Sequence, residues 1–197
     1  MARRVAVVAA GLSQPSSTRL LADRLAEATV RALGEAAVEV FELRDTATDV
    51  TNNLLTGFPS PRLGSAIETI TSADGLIVVT PIFTTSYSGL FKSFIDVLDP
   101  RSLTGMPVLL AATGGTERHS LAIDYALRPL FGYLHAEPVP TGVYAASGDW
   151  GSDSGLSERI ERAAGELARA MGHAERRVRD PFALPEGFTP TGAFSAQ

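Results

Sequence analysis

Three runs in this chain are apolar at nearly every position: Val5-Ala6-Val7-Val8-Ala9-Ala10, Gly75-Leu76-Ile77-Val78-Val79-Thr80-Pro81 and Met106-Pro107-Val108-Leu109-Leu110-Ala111-Ala112. A strand with one wet face alternates apolar and polar residues, whereas a strand covered on both faces does not. Each run is strand-length and is followed by apolar residues at helical spacing; after the first come Leu20, Leu21, Leu25, Ala28 and Leu33. Such a chain must build a parallel sheet with helices on both sides.

Two weaker strands complete the alternation. Ala37-Val38-Glu39-Val40-Phe41-Glu42-Leu43 changes polarity every second residue, as a half-exposed strand near the sheet edge does. Val139 to Tyr144 reads as a shorter fifth strand. Helices are expected over Gly64–Ser72, from Leu90 to Leu98 with Pro100 as its stop, over Arg118–Leu134 with a kink at Pro129, and over Leu156–Met171. The stretch Arg44–Leu63, with Asn52-Asn53, Gly57, Pro59 and Pro61, reads as a long irregular connection with a helical turn at Leu54-Leu55. Residues 1–172 form one α/β domain in this reading, and 173–197 a Pro-rich tail. The tail's Phe182, Leu184, Phe188 and Phe194 are too apolar for a fully solvated segment, so part of it is expected along a surface groove.

In open α/β sheets, ligands sit beyond the carboxyl ends of the strands. Three strand-end loops carry unusual chemistry. The first is Gly11-Leu12-Ser13-Gln14-Pro15-Ser16-Ser17-Thr18-Arg19. A helix start presents free N–H groups and a positive dipole end; Ser13, Ser16, Ser17 and Thr18 add donors and Arg19 adds charge. It reads as a cradle for one terminal phosphate, lacking both GxGxxG and the Gly-Lys-Ser/Thr of a P-loop. An ordinary helix start capped by Ser17 or Thr18 is the alternative. The second loop, Pro81-Ile82-Phe83-Thr84-Thr85-Ser86-Tyr87-Ser88-Gly89, sets the aromatic edges of Phe83 and Tyr87 among hydroxyls. The third, Thr113-Gly114-Gly115-Thr116, allows a flat ring to approach the backbone closely. Singly, the second and third are also compatible with a capped loop over a core Phe83 and a plain helix-capping turn. Phosphate at one end and a flat polar heterocycle at the other describe FMN.

These loops, with Leu90-Phe91-Lys92, His119 and Leu121-Ala122-Ile123-Asp124-Tyr125-Ala126-Leu127, resemble the NADPH-dependent FMN reductase family across about residues 4 to 144. The resemblance is strongest to reductases that accompany sulfonate and other luciferase-like monooxygenases. It implies a flavodoxin-like three-layer sandwich with a five-stranded parallel sheet in the order 2-1-3-4-5, FMN, and NADPH or NADH as hydride donor. It implies further that Ser13, Ser16, Ser17, Thr18 and Arg19 take the phosphate, that Pro81, Ile82, Phe83, Thr84 and Tyr87 border the flavin, and that Thr113, Gly114 and Gly115 meet its pyrimidine side. No catalytic acid, base or metal ligand is nominated, because the cofactor carries the hydride chemistry. By the same resemblance Tyr125 lies in a π-bulge at an oligomer contact, against the alternative of a packed core tyrosine. The protein is further expected to be a homodimer or homotetramer built around the helices after Gly89, too apolar for a solvated face, and after Thr116, made irregular by Tyr125 and Pro129, and its partner a flavin-dependent monooxygenase. A quinone or azo-dye reductase and a flavodoxin-type electron carrier are the competing readings.

Composition removes other classes. The chain has no cysteine, so disulfides, thiolate metal sites and Cys nucleophiles are excluded. Its three histidines, His119, His135 and His173, are not spaced as metal ligands. A net charge of −5 without a basic stripe argues against nucleic acid. The apolar run after Met1-Ala2-Arg3-Arg4 is too short to span a bilayer, so no membrane association and a cytoplasmic location are expected.

Overall fold

The computed structural model describes residues 2–151 and 155–173. The proposed tail, 173–197, lies outside the described residues beyond His173. Strands β1 (Arg3–Ala9), β2 (Ala36–Glu42), β3 (Gly75–Phe83) and β5 (Pro107–Gly114) pair in parallel in the order β2-β1-β3-β5. Two short segments, β6 (Glu137–Pro138) and β7 (Val143–Ala146), both pair with β5 on its free side. They are one fifth strand broken in the middle, where a continuous strand over Val139–Tyr144 was expected. The sheet is therefore flavodoxin-like, in the expected order 2-1-3-4-5. It has seven strand segments, because the fifth strand is split and a two-residue β4 (Ser86–Tyr87) folds back antiparallel on β3.

The break has a physical cause. The Arg128 guanidinium donates to the carbonyls of Val139 and Pro140, both at 3.0 Å. From the other side, Glu166 accepts from Thr141 N at 2.7 Å and from Thr141 Oγ1 at 2.8 Å. Two charged side chains thus satisfy the backbone that leaves the ladder.

Alternation within the strands builds two cores. Ala6, Val8, Leu76, Val78, Val108 and Leu110 face a layer containing Leu63, Phe91, Phe94 and Phe131. Their neighbours Val5, Val7, Ile77, Val79, Leu109 and Ala111 face Leu21, Leu25, Ile160, Ala164 and Leu167. The second layer consists of α1 (Ser17–Leu33) and α6 (Leu156–His173). The first includes α3 (Pro61–Ser72), α4 (Gly89–Asp96) and α5 (Arg128–Tyr133). Burying a side chain such as Leu109 contributes about 1.5–3 kcal/mol. β2, with its exposed and half-buried residues, is the expected sheet edge.

Two segments differ from expectation. Arg44–Leu63 is largely helical: a 3₁₀ turn (Leu43–Thr46), then α2 (Ala47–Thr56), then a short link to α3. The helical period was hidden because α2 buries only Val50 and Asn53. Its boundary signals were present: Gly57 closes α2 in the left-handed region at φ 79°, and Ser60 caps α3 ahead of Pro61. The expected helix Arg118–Leu134 is instead a 3₁₀ turn (Glu117–His119), a π-helical turn (Ile123–Leu127) and then α5, with Pro129 in its first turn. Pro129 thus sits at the junction where the π turn passes into α5. Tyr125 lies in the π turn and is 78% exposed, so it is not a packed core residue. No described helix is long and apolar enough to cross a membrane.

Tyr144 of β7 lies across Gly114 of β5 and donates to Thr116 O at 2.7 Å. Burial, then the Asp149 carboxylate, pushes its phenol above the usual value. The neutral phenol is thereby favoured in the fold. The stability this adds is present below the ordinary tyrosine range and lost as pH rises through the raised value. A Cβ on Gly114 would stand 2.0 Å from Tyr144 Oη and 3.0 Å from Cζ. Gly114→Ala should therefore cost about 1–3 kcal/mol in urea unfolding, and Tyr144→Phe in the same chain should recover part of it. An unchanged midpoint for Gly114→Ala would contradict this packing.

Candidate functional site

The order β2-β1-β3 sends the chain to opposite faces of the sheet on either side of β1, opening a crevice at the carboxyl ends of β1 and β3. All three singled-out loops open at this edge. The first loop is closely folded. A Cβ on Gly11 would fall 2.1 Å from Ser16 Oγ, so glycine is what lets the loop fold back on the helix start. Ser16, not Ser17 or Thr18, is the N-cap of α1, and its Oγ accepts from Arg19 N at 3.2 Å. Ser13 Oγ donates to Pro15 O at 3.1 Å. The first-turn N–H groups of Ser17 and Thr18 have no intrahelical partner by construction and point ahead of the helix.

The first and third loops are tied together. Thr18 and Thr113, both buried, share a hydrogen bond of 2.9 Å between their hydroxyls. This bond carries the start of α1 to the end of β5, past β1 and β3 between them. Pro81 pairs with Thr113 in the β3–β5 ladder and is also buried. Thr18, Pro81 and Thr113 are thus the frame of the site. Ser13, Ser17, Phe83, Thr84 and Gly115 are exposed and form its open surface. Ser16, Ile82, Tyr87 and Gly114 are half-buried between the two.

The second loop is a two-residue hairpin. Ile82 pairs with Tyr87 and Phe83 with Ser86, leaving Thr84 and Thr85 at the tip with φ of 49° and 69°. Positive φ at both tip positions is the turn that Asn-Gly normally makes. A threonine is β-branched and strained there, at a cost of order 1–3 kcal/mol per residue. The base of the hairpin supports that strain. Ser88 N donates to Thr80 Oγ1 at 3.1 Å, and Ser88 Oγ caps α4 by accepting from Phe91 N at 3.2 Å. Tyr87 packs on Phe91, with ring centroids 5.9 Å apart. Phe83, 48% exposed, stands at the mouth. Composition and motif spacing reveal the hydroxyls of this loop but not its two left-handed threonines.

The two glycines of the third loop do different work. At Gly114 the ring lying against the backbone is the protein's own Tyr144. At Gly115 a Cβ would meet nothing within 4 Å, so this is the position where an external ring has room.

Charge is distributed otherwise than the loop's composition implies. Arg19 Nε donates to Asp23 at 2.7 Å, and another of its guanidinium nitrogens to Glu42 at 2.8 Å. The Asp23 hydrogen bond in the first place holds this guanidinium above its already high value. The side chain of Arg19 faces carboxylates, and its backbone N–H is taken by the Ser16 cap. A second arginine beside the loop, Arg44, was not singled out by the sequence because it falls outside the motif. Among the described residues, no group of three or more His, Asp or Glu side chains is arranged for a metal ion. The site offers hydroxyls, backbone amides, aromatic edges and an open glycine. Those donors and that room fit a phosphate joined to a flat heterocycle, which they can bind and orient.

The model of a family described as NADPH-dependent FMN reductase matches residues 3–151. A Pseudomonas aeruginosa protein named FMN reductase (NADPH) is 38% identical over 176 residues, covering 86% of this chain and 92% of its own. A Pseudomonas putida protein named NADH-dependent FMN reductase SfnF is 40% identical over 143 residues, covering 73% and 77%. An X-ray structure of an oxidoreductase from Corynebacterium diphtheriae superposes with a TM-score of 0.86 at 45% identity, covering 88% of this chain and 98% of that one. The chain belongs to the NADPH-dependent FMN reductase family.

Proposed function

We propose that this protein is a cytoplasmic enzyme that reduces FMN with NADPH or NADH and releases the reduced flavin to a separate, luciferase-like monooxygenase. The observation that carries the reading is the convergence of the three loops on one sheet edge, joined by the Thr18–Thr113 bond. In it, Ser13, Ser16, Ser17 and Thr18 receive the phosphate, and Arg19 steadies the loop through the N–H it donates to Ser16 Oγ. Pro81, Ile82, Phe83, Thr84 and Tyr87 border the isoalloxazine. Thr113, Gly114 and Gly115 shape the pyrimidine end, with Gly115 as the open position.

The flavin supplies the chemistry, accepting a hydride from the nicotinamide. The protein's task is to hold two flat rings at reacting distance, and rigid elements do that best. The hairpin tip, held by Thr80 and Ser88, and the end of β5, held by Tyr144, supply rigid walls. Charge near the phosphate loop is balanced, since Asp23, Glu42 and Asp45 together face Arg19 and Arg44. A balanced site holds a dianion moderately, which suits a flavin that must leave at every turnover. Relatives are named for NADPH and for NADH, which supports either nicotinamide as the donor. A second copy of the chain is expected against the π turn and α5, where Leu121, Tyr125 and Tyr133 are exposed together.

Three measurements check this. Steady-state turnover with each nicotinamide should saturate in free FMN, with little flavin co-purifying. Tightly retained FMN that reduces a quinone and never exchanges would overturn the two-component role. Ser13→Ala with Ser17→Ala should weaken FMN roughly tenfold and leave riboflavin unchanged, since only FMN carries the phosphate. Light scattering should give a dimer or tetramer at micromolar concentration, and a monomer would count against the assigned contact.

A further inference from the structure

Arg44 lies in the 3₁₀ turn after β2 and is assigned nothing in the flavin site described above. Its side chain is only 17% exposed. One guanidinium nitrogen donates to the carbonyl of Ser13 at 3.0 Å, and another sits 2.7 Å from Glu42 Oε2. Turned with its oxygen toward Arg44, the Gln14 carboxamide accepts from the same two nitrogens, at 3.1 and 2.5 Å. The other carboxylate oxygen of Glu42 holds Arg19, which in turn holds Asp23. A ladder of alternating charge, Asp23–Arg19–Glu42–Arg44, therefore runs from the first turns of α1 across the end of β2 to residues 13 and 14 of the phosphate loop. Arginine's flat fork of five donors meets a carboxylate, a backbone carbonyl and an amide from one fixed plane, which the three donors of a lysine ammonium at a single point do not reproduce.

The carbonyl that Arg44 anchors is informative. In a trans peptide the C=O and N–H point to opposite sides. Fixing Ser13 O against Arg44 therefore turns the Gln14 N–H away from Arg44. We propose that Arg44 is a positioning residue for the FMN phosphate. By gripping Ser13 and Gln14 it sets the loop so that the Ser13 hydroxyl, once turned from Pro15 O, the Gln14 N–H and the free N–H groups of Ser17 and Thr18 converge on one anion. Glu42, shared with Arg19, and Asp45 at 3.7 Å balance its charge, so Arg44 acts by geometry and not by attracting the dianion. The inference rests on the reading that the Gly11–Arg19 loop takes the phosphate.

The test is the ratio of riboflavin to FMN dissociation constants, read by flavin fluorescence in the intact protein. A fraction of misfolded protein lowers binding of both flavins and leaves this ratio unmoved. The wild type is expected to prefer FMN. Arg44→Met should lose about tenfold of that preference through weaker FMN binding alone. Arg44→Lys, which keeps the charge but not the fork, should recover only part, and it provides the comparison if the methionine variant does not fold. Wild-type preference in both variants, or equal loss for the two flavins, would overturn the role. Full recovery by lysine would also overturn it, in favour of direct charge attraction. A wild type that does not distinguish FMN from riboflavin would overturn the phosphate reading itself, a failure visible before any variant is made.

Discussion

A parallel sheet covered on both faces leaves nowhere for polar chemistry except the ends of its strands. In β1, β3 and β5 the buried side chains are apolar up to the carboxyl ends, where Thr80 and Thr113 appear, and the backbone is paired to a neighbouring strand. The unpaired donors of this layer therefore collect where the chain leaves the sheet. The order 2-1-3-4-5 then decides which exits lie together. The Thr18–Thr113 hydrogen bond, made between buried hydroxyls on two layers, holds that corner in one arrangement. A buried hydroxyl pair is costly if either partner is lost, so the bond is a constraint as well as a contact.

Around that corner, local rules are broken at the proposed ligand surface. Two β-branched residues adopt left-handed conformations at the hairpin tip, and a glycine is crossed by a tyrosine whose hydroxyl bonds the next loop. Neighbouring elements hold each departure: Thr80 and Ser88 below the hairpin, Thr116 beyond the glycine. Strain maintained in this way gives a rigid wall without a catalytic side chain. That is what a cofactor-driven hydride transfer needs from a protein.

Most of the architecture was legible in the chain because uninterrupted apolar runs of strand length have few solutions. Val5–Ala10, Gly75–Pro81 and Met106–Ala112 each fall in the sheet, with shifts of one to two residues at their ends. What escaped did so for physical reasons. α2 packs through two side chains and so shows no apolar stripe. The fifth strand is broken by Arg128 and Glu166, which come from distant positions. In the site, hydroxyl content could be counted, but the direction of Arg19 depends on Asp23 and on Glu42, the latter on a different strand. Arg44 was invisible for the same reason: its role exists only once β2 is placed beside β1. The left-handed threonines follow from the β3–β4 pairing, which no propensity for Thr-Thr would suggest.

The central claim is that three loops form one flavin site at the carboxyl edge of the sheet. A crystal structure of the protein with FMN tests it most directly. The phosphate is expected against Ser13 and the N–H groups of Ser17 and Thr18, with the isoalloxazine between the Thr84-Thr85 tip and Gly115. FMN bound elsewhere, or with its phosphate remote from the start of α1, would contradict it.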